Sequence, residues 1–168
     1  MPSKTRRARK PKGHLIQHHH LIIRVELQRC PGPTDVNAME ESVDKLIKSI
    51  NMAHLAPAKV YYMKEPKFNE GMTCIAPIKT SHLSFHFWKR PEKSILNNPD
   101  SKCLLQMDVY TCGSLNKETQ KKVLSFLEEY NPTHLNFTLL DRLRGMKIDK
   151  TVTWDSHDCT FDKFLNKY

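Results

Sequence analysis

Apolar positions along this chain switch between two periods, and the switches outline the fold. Residues 21–27 (LIIRVEL) are a run rich in Ile, Leu and Val that reads as a strand, ended by Cys30-Pro31-Gly32-Pro33. Over residues 35–52 the period becomes helical. Val36, Met39, Val43, Leu46, Ile47 and Ile50 form one stripe, with Thr34 or Asp35 placed to cap it. Short strands follow at 59–63 and 72–78, separated by a loop over 66–71. Residues 82–88 alternate, with Leu83, Phe85 and Phe87 on one side and His82, Ser84, His86 and Trp88 on the other. After a loop at 89–101, residues 103–111 alternate again, setting Leu105, Met107 and Val109 against Gln106, Asp108 and Tyr110. A second helix spans 116–130 on a stripe of Val123, Leu124, Leu127 and Tyr130, and 134–140 reads as a last strand. Beyond Arg142 the pattern fades, apart from a short amphipathic turn at 161–165.

Strand, helix, several strands, helix, strand is the order of an α+β fold, a two-layer sandwich with an antiparallel sheet and two helices on one face. The other face would carry His82, Ser84, His86, Asp108 and Tyr110. A polar, titratable and uncovered face is where a site or a second subunit belongs.

Composition sets limits on this picture. The length of 168 residues and a hydrophobic share of 39% suit one domain with its own core. No apolar run approaches the roughly 20 residues needed to cross a bilayer, and the N-terminus has no apolar leader segment. Of the nine excess positive charges, six lie in residues 1–12, which hold no acid. The basicity is therefore mainly that of a tail, residues 1–13, ahead of a single domain over 14–168. Such a tail can touch nucleic acid non-specifically, but no aromatic residue interleaves its basic ones. A basic nucleic-acid-binding module is the rival reading from another class. Five cysteines with no CxxC pair argue against a disulfide framework or zinc site and for a reducing cytoplasm. His18-His19-His20 abuts a strand with no partner cluster, so no metal site is expected there.

The chemistry concentrates in mid-chain, in Thr80-Ser81-His82-Leu83-Ser84-Phe85-His86-Phe87-Trp88 and in Asp108-Val109-Tyr110-Thr111-Cys112-Gly113. From residue type alone, His86 can act as a general acid or base, Cys112 can donate a proton or attack, and Ser81 can be a nucleophile. Bland alternatives exist for each: a surface histidine, a buried thiol, an ordinary serine.

Read in order, the two segments resemble the core of the prokaryotic-type S-adenosylmethionine decarboxylase proenzymes. His20-Leu21 and Gly71 match family positions at lower quality. Where the family has Glu before the serine this chain has Thr80, and its loop over 89–101 is longer. The resemblance implies a pyruvoyl enzyme made by self-cleavage. Ser81 would attack the carbonyl of Thr80, the chain would part between them, and Ser81 would become a pyruvoyl group that holds substrate as a Schiff base. It also implies His86 as the processing base and Cys112 as the acid that protonates the substrate α-carbon. Phe68 lies near the family's adenine-stacking aromatic. The implied substrate is S-adenosylmethionine, feeding spermidine synthesis, and the implied assembly is a homodimer packed through the polar sheet faces. Arginine or ornithine as substrate, or an uncut inactive homologue, are the other outcomes on the same scaffold.

One geometric expectation follows from strand parity. Ser81 and His86 are five residues apart and would point to opposite faces of an unbroken strand, so a break near Ser81-His82 is expected if His86 serves Ser81.

Overall fold

The computed structural model describes residues 17–143 and 145–168; the basic tail over 1–13 lies outside the described residues. Among the described residues seven strands form one antiparallel sheet. They are β1 (His19–Leu27), β2 (Lys59–Met63), β3 (Gly71–Ile78), β4 (Ser81–Trp88), β5 (Cys103–Thr111), β6 (Pro132–Asp141) and β7 (Lys147–Asp155), in the order β2-β3-β4-β5-β1-β6-β7. The first strand in sequence is thus interior, paired to β5 on one side and β6 on the other.

Among the described residues three helices cover one face: α1 (Val36–Ser49), α2 (Lys117–Ser125) and α3 (Phe161–Lys167). Their apolar stripes meet Leu21, Ile23, Val25, Leu83, Phe85, Phe87, Leu105 and Val109 in one core. These sheet residues are alternate positions, as a period of two requires. Asn116 caps α2 by accepting from the Thr119 N–H at 2.9 Å. The helix expected to reach Tyr130 instead ends at Ser125, and a separate 3-10 turn, Glu128–Tyr130, carries Tyr130 into the core. Asn131, at φ 51°, then reverses the chain into β6. Strand β7 was not legible because Lys150 interrupts its apolar side, Ile148, Val152 and Trp154, of which only Trp154 is buried.

Gly71 opens β3 opposite Trp88, and a Cβ there would come within 1.7 Å of the Phe87 carbonyl oxygen. Only glycine lets the two backbones approach this closely.

The cysteine reading requires correction. Cys30 and Cys103 form a disulfide, with Cα atoms 5.4 Å apart, across 73 residues of sequence. Leu27 pairs with Cys103, and the three residues after β1 fold Cys30 back beside it. No spacing motif announces a pair made by strand register. The cysteine count therefore no longer argues for a reducing compartment. Among the described residues no helix is long and apolar enough to cross a membrane.

Candidate active site

The face without helices carries the polar set expected of it. Register places His20, Tyr110 and His82 side by side across β1, β5 and β4, then Ile22, Asp108 and Ser84, then Arg24, Gln106 and His86. The chemistry divides between the two ends of β4.

At the start of β4, Lys79 and Thr80 form a two-residue turn between the paired Ile78 and Ser81. Thr80 has φ 63°, a left-handed conformation that strains a β-branched residue. The turn is held by the Lys79 N–H donating to the Ala53 carbonyl at 2.9 Å. Beyond the end of β5, Cys112 grips the Thr80–Ser81 bond on both sides. Its backbone N–H donates to Ser81 Oγ at 3.1 Å, and its thiol donates to the Thr80 carbonyl oxygen at 3.0 Å. The Gly113 N–H donates to Thr111 Oγ1 at 2.9 Å, shaping the turn that presents Cys112. Three predicted site residues, Thr80, Ser81 and Cys112, are therefore in one place.

His18 joins them unannounced. Its Nδ1 lies 2.8 Å from the Tyr110 hydroxyl and 3.8 Å from Cys112 Sγ. Beside it, His20 Nε2 meets Asp108 Oδ1 at 2.9 Å, and the Arg142 guanidinium lies 4.4 Å from the Tyr110 ring centre. The histidine tract pointed to a metal or to nothing; its place opposite the end of β5 comes from strand pairing, which no local pattern shows.

His86 stands elsewhere. Strand β4 is unbroken from Ser81 to Trp88, paired with β3 from Ser81 onward and with β5 from His82 onward. The expected break within it is absent; the irregularity falls one residue earlier, at Thr80. Five strand steps place His86 about 17 Å from Ser81 and on the opposite face, so the two do not meet within one protomer. The His86 Nδ1 is hydrogen-bonded to Thr73 Oγ1 at 2.5 Å, and its ring centre is 4.2 Å from that of Trp88. Burial pushes the His86 imidazole below its ordinary value, and its buried Nε2 has no hydrogen-bond partner among the described residues.

Beyond His86, the long loop after β4 lies across the sheet and walls a cleft of about 270 Å³ lined by Phe68, Trp88, Arg90, Glu92, Ile95 and Gln106. The loop is fastened to Glu26, whose side chain is wholly buried. Its Oε1 accepts from Arg24 Nη1 at 2.6 Å and from the Asn97 N–H at 2.8 Å, and its Oε2 accepts from the Asn98 N–H at 2.8 Å. Burial by itself would raise this carboxyl, but the Asn97 and Asn98 N–H groups and Arg24 outweigh it and hold Glu26 below the usual carboxylate range. Phe68 remains 75% exposed at the cleft mouth. A larger hollow of about 440 Å³ lies between α1 and α2 and touches none of these residues.

The family model for S-adenosylmethionine decarboxylase matches residues 19–143. No curated protein matches the chain. Among solved structures, a phage SAM lyase in complex with S-methyl-5'-thioadenosine is similar at 10% identity, covering 83% of this chain and 90% of that one, with a TM-score of 0.37.

Proposed function

This chain belongs to the S-adenosylmethionine decarboxylase family, and we propose on that basis that it cuts itself between Thr80 and Ser81 and then decarboxylates S-adenosylmethionine. The observation that carries this reading is the double contact of Cys112 with Ser81 Oγ and the Thr80 carbonyl oxygen. Attack by Ser81 Oγ on the Thr80 carbonyl carbon moves the acyl group from nitrogen to oxygen. Negative charge then develops on the Thr80 oxygen, where the Cys112 thiol already donates. The Cys112 N–H fixes Ser81 Oγ, and the left-handed Thr80 gives up its strain as the bond opens. Loss of the Ser81 α-proton breaks the ester, leaving Thr80 with a carboxylate and residue 81 as the new N-terminus, which water converts to a pyruvoyl group with loss of ammonia.

The residues at this junction fit that group: a serine held by a backbone N–H, and a thiol acid within reach. A pyruvoyl carbonyl at position 81 supplies an electron sink for the pair left behind by CO2. Cys112 Sγ is the proton source beside it, which supports its role as donor to the substrate α-carbon. The resemblance gives His86 the processing role; with His86 on the opposite face, that role requires a second chain or a rearranged strand.

Substrate binding points to the cleft at the far end of β4. S-adenosylmethionine offers an adenine and a sulfonium, suited to the faces of Phe68 and Trp88 and to the carboxylate of Glu92. Seven strand steps, about 24 Å, separate Trp88 from Ser81 in one protomer, too far for one small molecule to touch both. Packing two helix-free faces in opposite senses brings the cleft of one protomer toward the junction of the other. The exposed Ile22, Tyr61 and Ile75 supply apolar surface for that contact. The reading is therefore a homodimer with composite sites.

Intact mass under denaturing and reducing conditions, with the Cys30–Cys103 disulfide opened, tests the class. Cleavage gives a fragment ending at Thr80 and a blocked fragment beginning at 81, and S81A stays whole. A wild-type chain that remains single on long incubation overturns the enzyme reading. Release of CO2 from S-adenosylmethionine, with none from arginine or ornithine, establishes the substrate; release from either of those instead replaces it.

A further inference from the structure

We infer that His18 is a positioning residue for Cys112, holding its sulfur against the Thr80–Ser81 bond and returning a proton to it in each turnover. His18 lies just before the range that the family model matches. The inference takes its purpose from the decarboxylase reading, but it rests on contacts of the uncut chain.

The geometry is a short chain of polar atoms. His18 Nδ1 sits between the Tyr110 hydroxyl at 2.8 Å and Cys112 Sγ at 3.8 Å, and Cys112 Sγ in turn sits 3.0 Å from the Thr80 oxygen. The backbone keeps the ring in place, because the Arg142 N–H donates to the His18 carbonyl at 2.7 Å. Both states of the ring nitrogen have a use here. A bare Nδ1 accepts the Tyr110 O–H. A protonated Nδ1 donates to a thiolate sulfur. When Cys112 gives its proton to carbon, the S–H bond breaks and the pair stays on sulfur. The proton on His18 Nδ1 then moves to sulfur and restores the thiol. Water reprotonates the half-buried imidazole, so no further reactant is needed.

Cys112 can also give its proton during cleavage, when the Thr80 oxygen becomes anionic. After cleavage the Thr80 carboxylate is free to leave, and His18 is the neighbour that remains. His18 belongs to the N-terminal fragment and Cys112 to the C-terminal one, so the pair spans the two products. It stays together because β1 is paired to β5 and β6. The titratable and charged groups facing the pair are Tyr110 and Asp108 on β5, His20 on β1, His82 on β4 and Arg142 after β6.

The test is alkylation of Cys112 by iodoacetamide near neutral pH, resolved peptide by peptide by mass spectrometry, in the uncleavable S81A chain with and without H18Q. The expected result is a rate about fivefold to tenfold lower in H18Q, because the ring nitrogen that stands beside the sulfur and can take up its proton as it attacks is gone. A merely structural loss would open the site and speed alkylation. Equal or faster alkylation in H18Q overturns the inference. Should H18Q fail to fold, Y110F removes the hydroxyl that orients the ring, and there a smaller decrease supports the inference while no change refutes it. In cleaved enzyme, H18Q is expected to lower kcat with KM retained. A wild-type chain that never cleaves refutes the decarboxylase reading and leaves the alkylation result standing by itself.

Discussion

Replacing Glu26 by glutamine tests how the cleft beside Trp88 is built. The carboxylate meets three backbone or amide N–H groups of Asn97 and Asn98 and the Arg24 guanidinium, all within 2.9 Å. An amide keeps one acceptor and turns an NH2 group onto donors, either that of Asn98 or those of Arg24 and Asn97. At least one buried N–H then lacks a partner, and the Arg24 pair loses its charge. Orphaning a buried donor costs about 1–3 kcal/mol, and breaking a buried charged pair adds to it, so E26Q should lose about 2–4 kcal/mol. The loop can partly detach into water, which sets the upper end. In urea this is a fall of about 1–2 M in the unfolding midpoint at an unchanged slope. The pH dependence gives a second reading. Glu26 in the folded protein titrates below its ordinary value of 4.5. Its contribution is therefore complete above that value and is lost as pH falls through the lowered one. The gap between wild type and E26Q should close over that acid window. A loosened loop should also raise KM for substrate with less effect on kcat. Equal midpoints, or a gap that does not change in acid, would refute the anchoring argument.

Other changes probe the junction and the sheet. G71A should fail to give soluble folded protein, since its methyl group would overlap the Phe87 carbonyl; a normal melting curve would show that β3 and β4 can separate cheaply. T80G should relieve the left-handed strain, stabilise the chain by about 0.5 kcal/mol and slow cleavage, measured by urea unfolding and by a time course of intact mass. Faster cleavage in the more stable variant would mean that the strain does not assist the acyl shift. C112A retains the N–H on Ser81 Oγ but not the thiol, so cleavage should slow about tenfold or more without vanishing, and decarboxylation should fall further. D155N should raise the pH at which the protein unfolds in acid. The His157 N–H and the His134 and His157 rings hold the Asp155 carboxyl at about 2, so its contribution is present above the ordinary 3.8 and lost as pH falls toward 2.

The sequence made the layered fold legible because the information is periodic. Alternation over residues 82–88 and 103–111 identified the two faces, and the stripe from Val36 to Ile50 identified the helix that covers one of them. What periodicity does not carry is partnership. The register of Leu27 with Cys103 makes a disulfide that spacing argued against. The placement of His18 beside Cys112 and of Glu26 beneath the 89–101 loop comes from contacts 94 and 71 residues apart in sequence. Strand β7 was lost for a different reason: the apolar side of this edge strand is interrupted by Lys150 and begins with an exposed Ile148, so only Val152 and Trp154 mark the core side. The Ser81–His86 relation was legible in principle, since parity alone forbade contact along a regular strand, and the uninterrupted pairing of β4 bears the parity argument out.

Strand order bears on what self-cleavage would do to the protein. The bond between Thr80 and Ser81 lies in a hairpin turn, so cutting it leaves every rung between β3 and β4 in place. The N-terminal piece would contribute β1, α1, β2 and β3. Of these, β1 is held between β5 and β6 over its whole length, with Leu21, Ile23 and Val25 fully buried. The Cys30–Cys103 disulfide also crosses from one piece to the other. Removing β1 would expose the centre of the core, at about 1.5–3 kcal/mol for each large apolar side chain, so the pieces should not separate under native conditions. Cleavage there would thus be a local chemical event in a scaffold that hardly feels it. The same turn can carry strain at Thr80 because the sheet on either side fixes its ends. It follows that a size measurement on native protein is blind to cleavage, and that denaturing measurement needs a reductant as well, because the disulfide would otherwise hold the two pieces together.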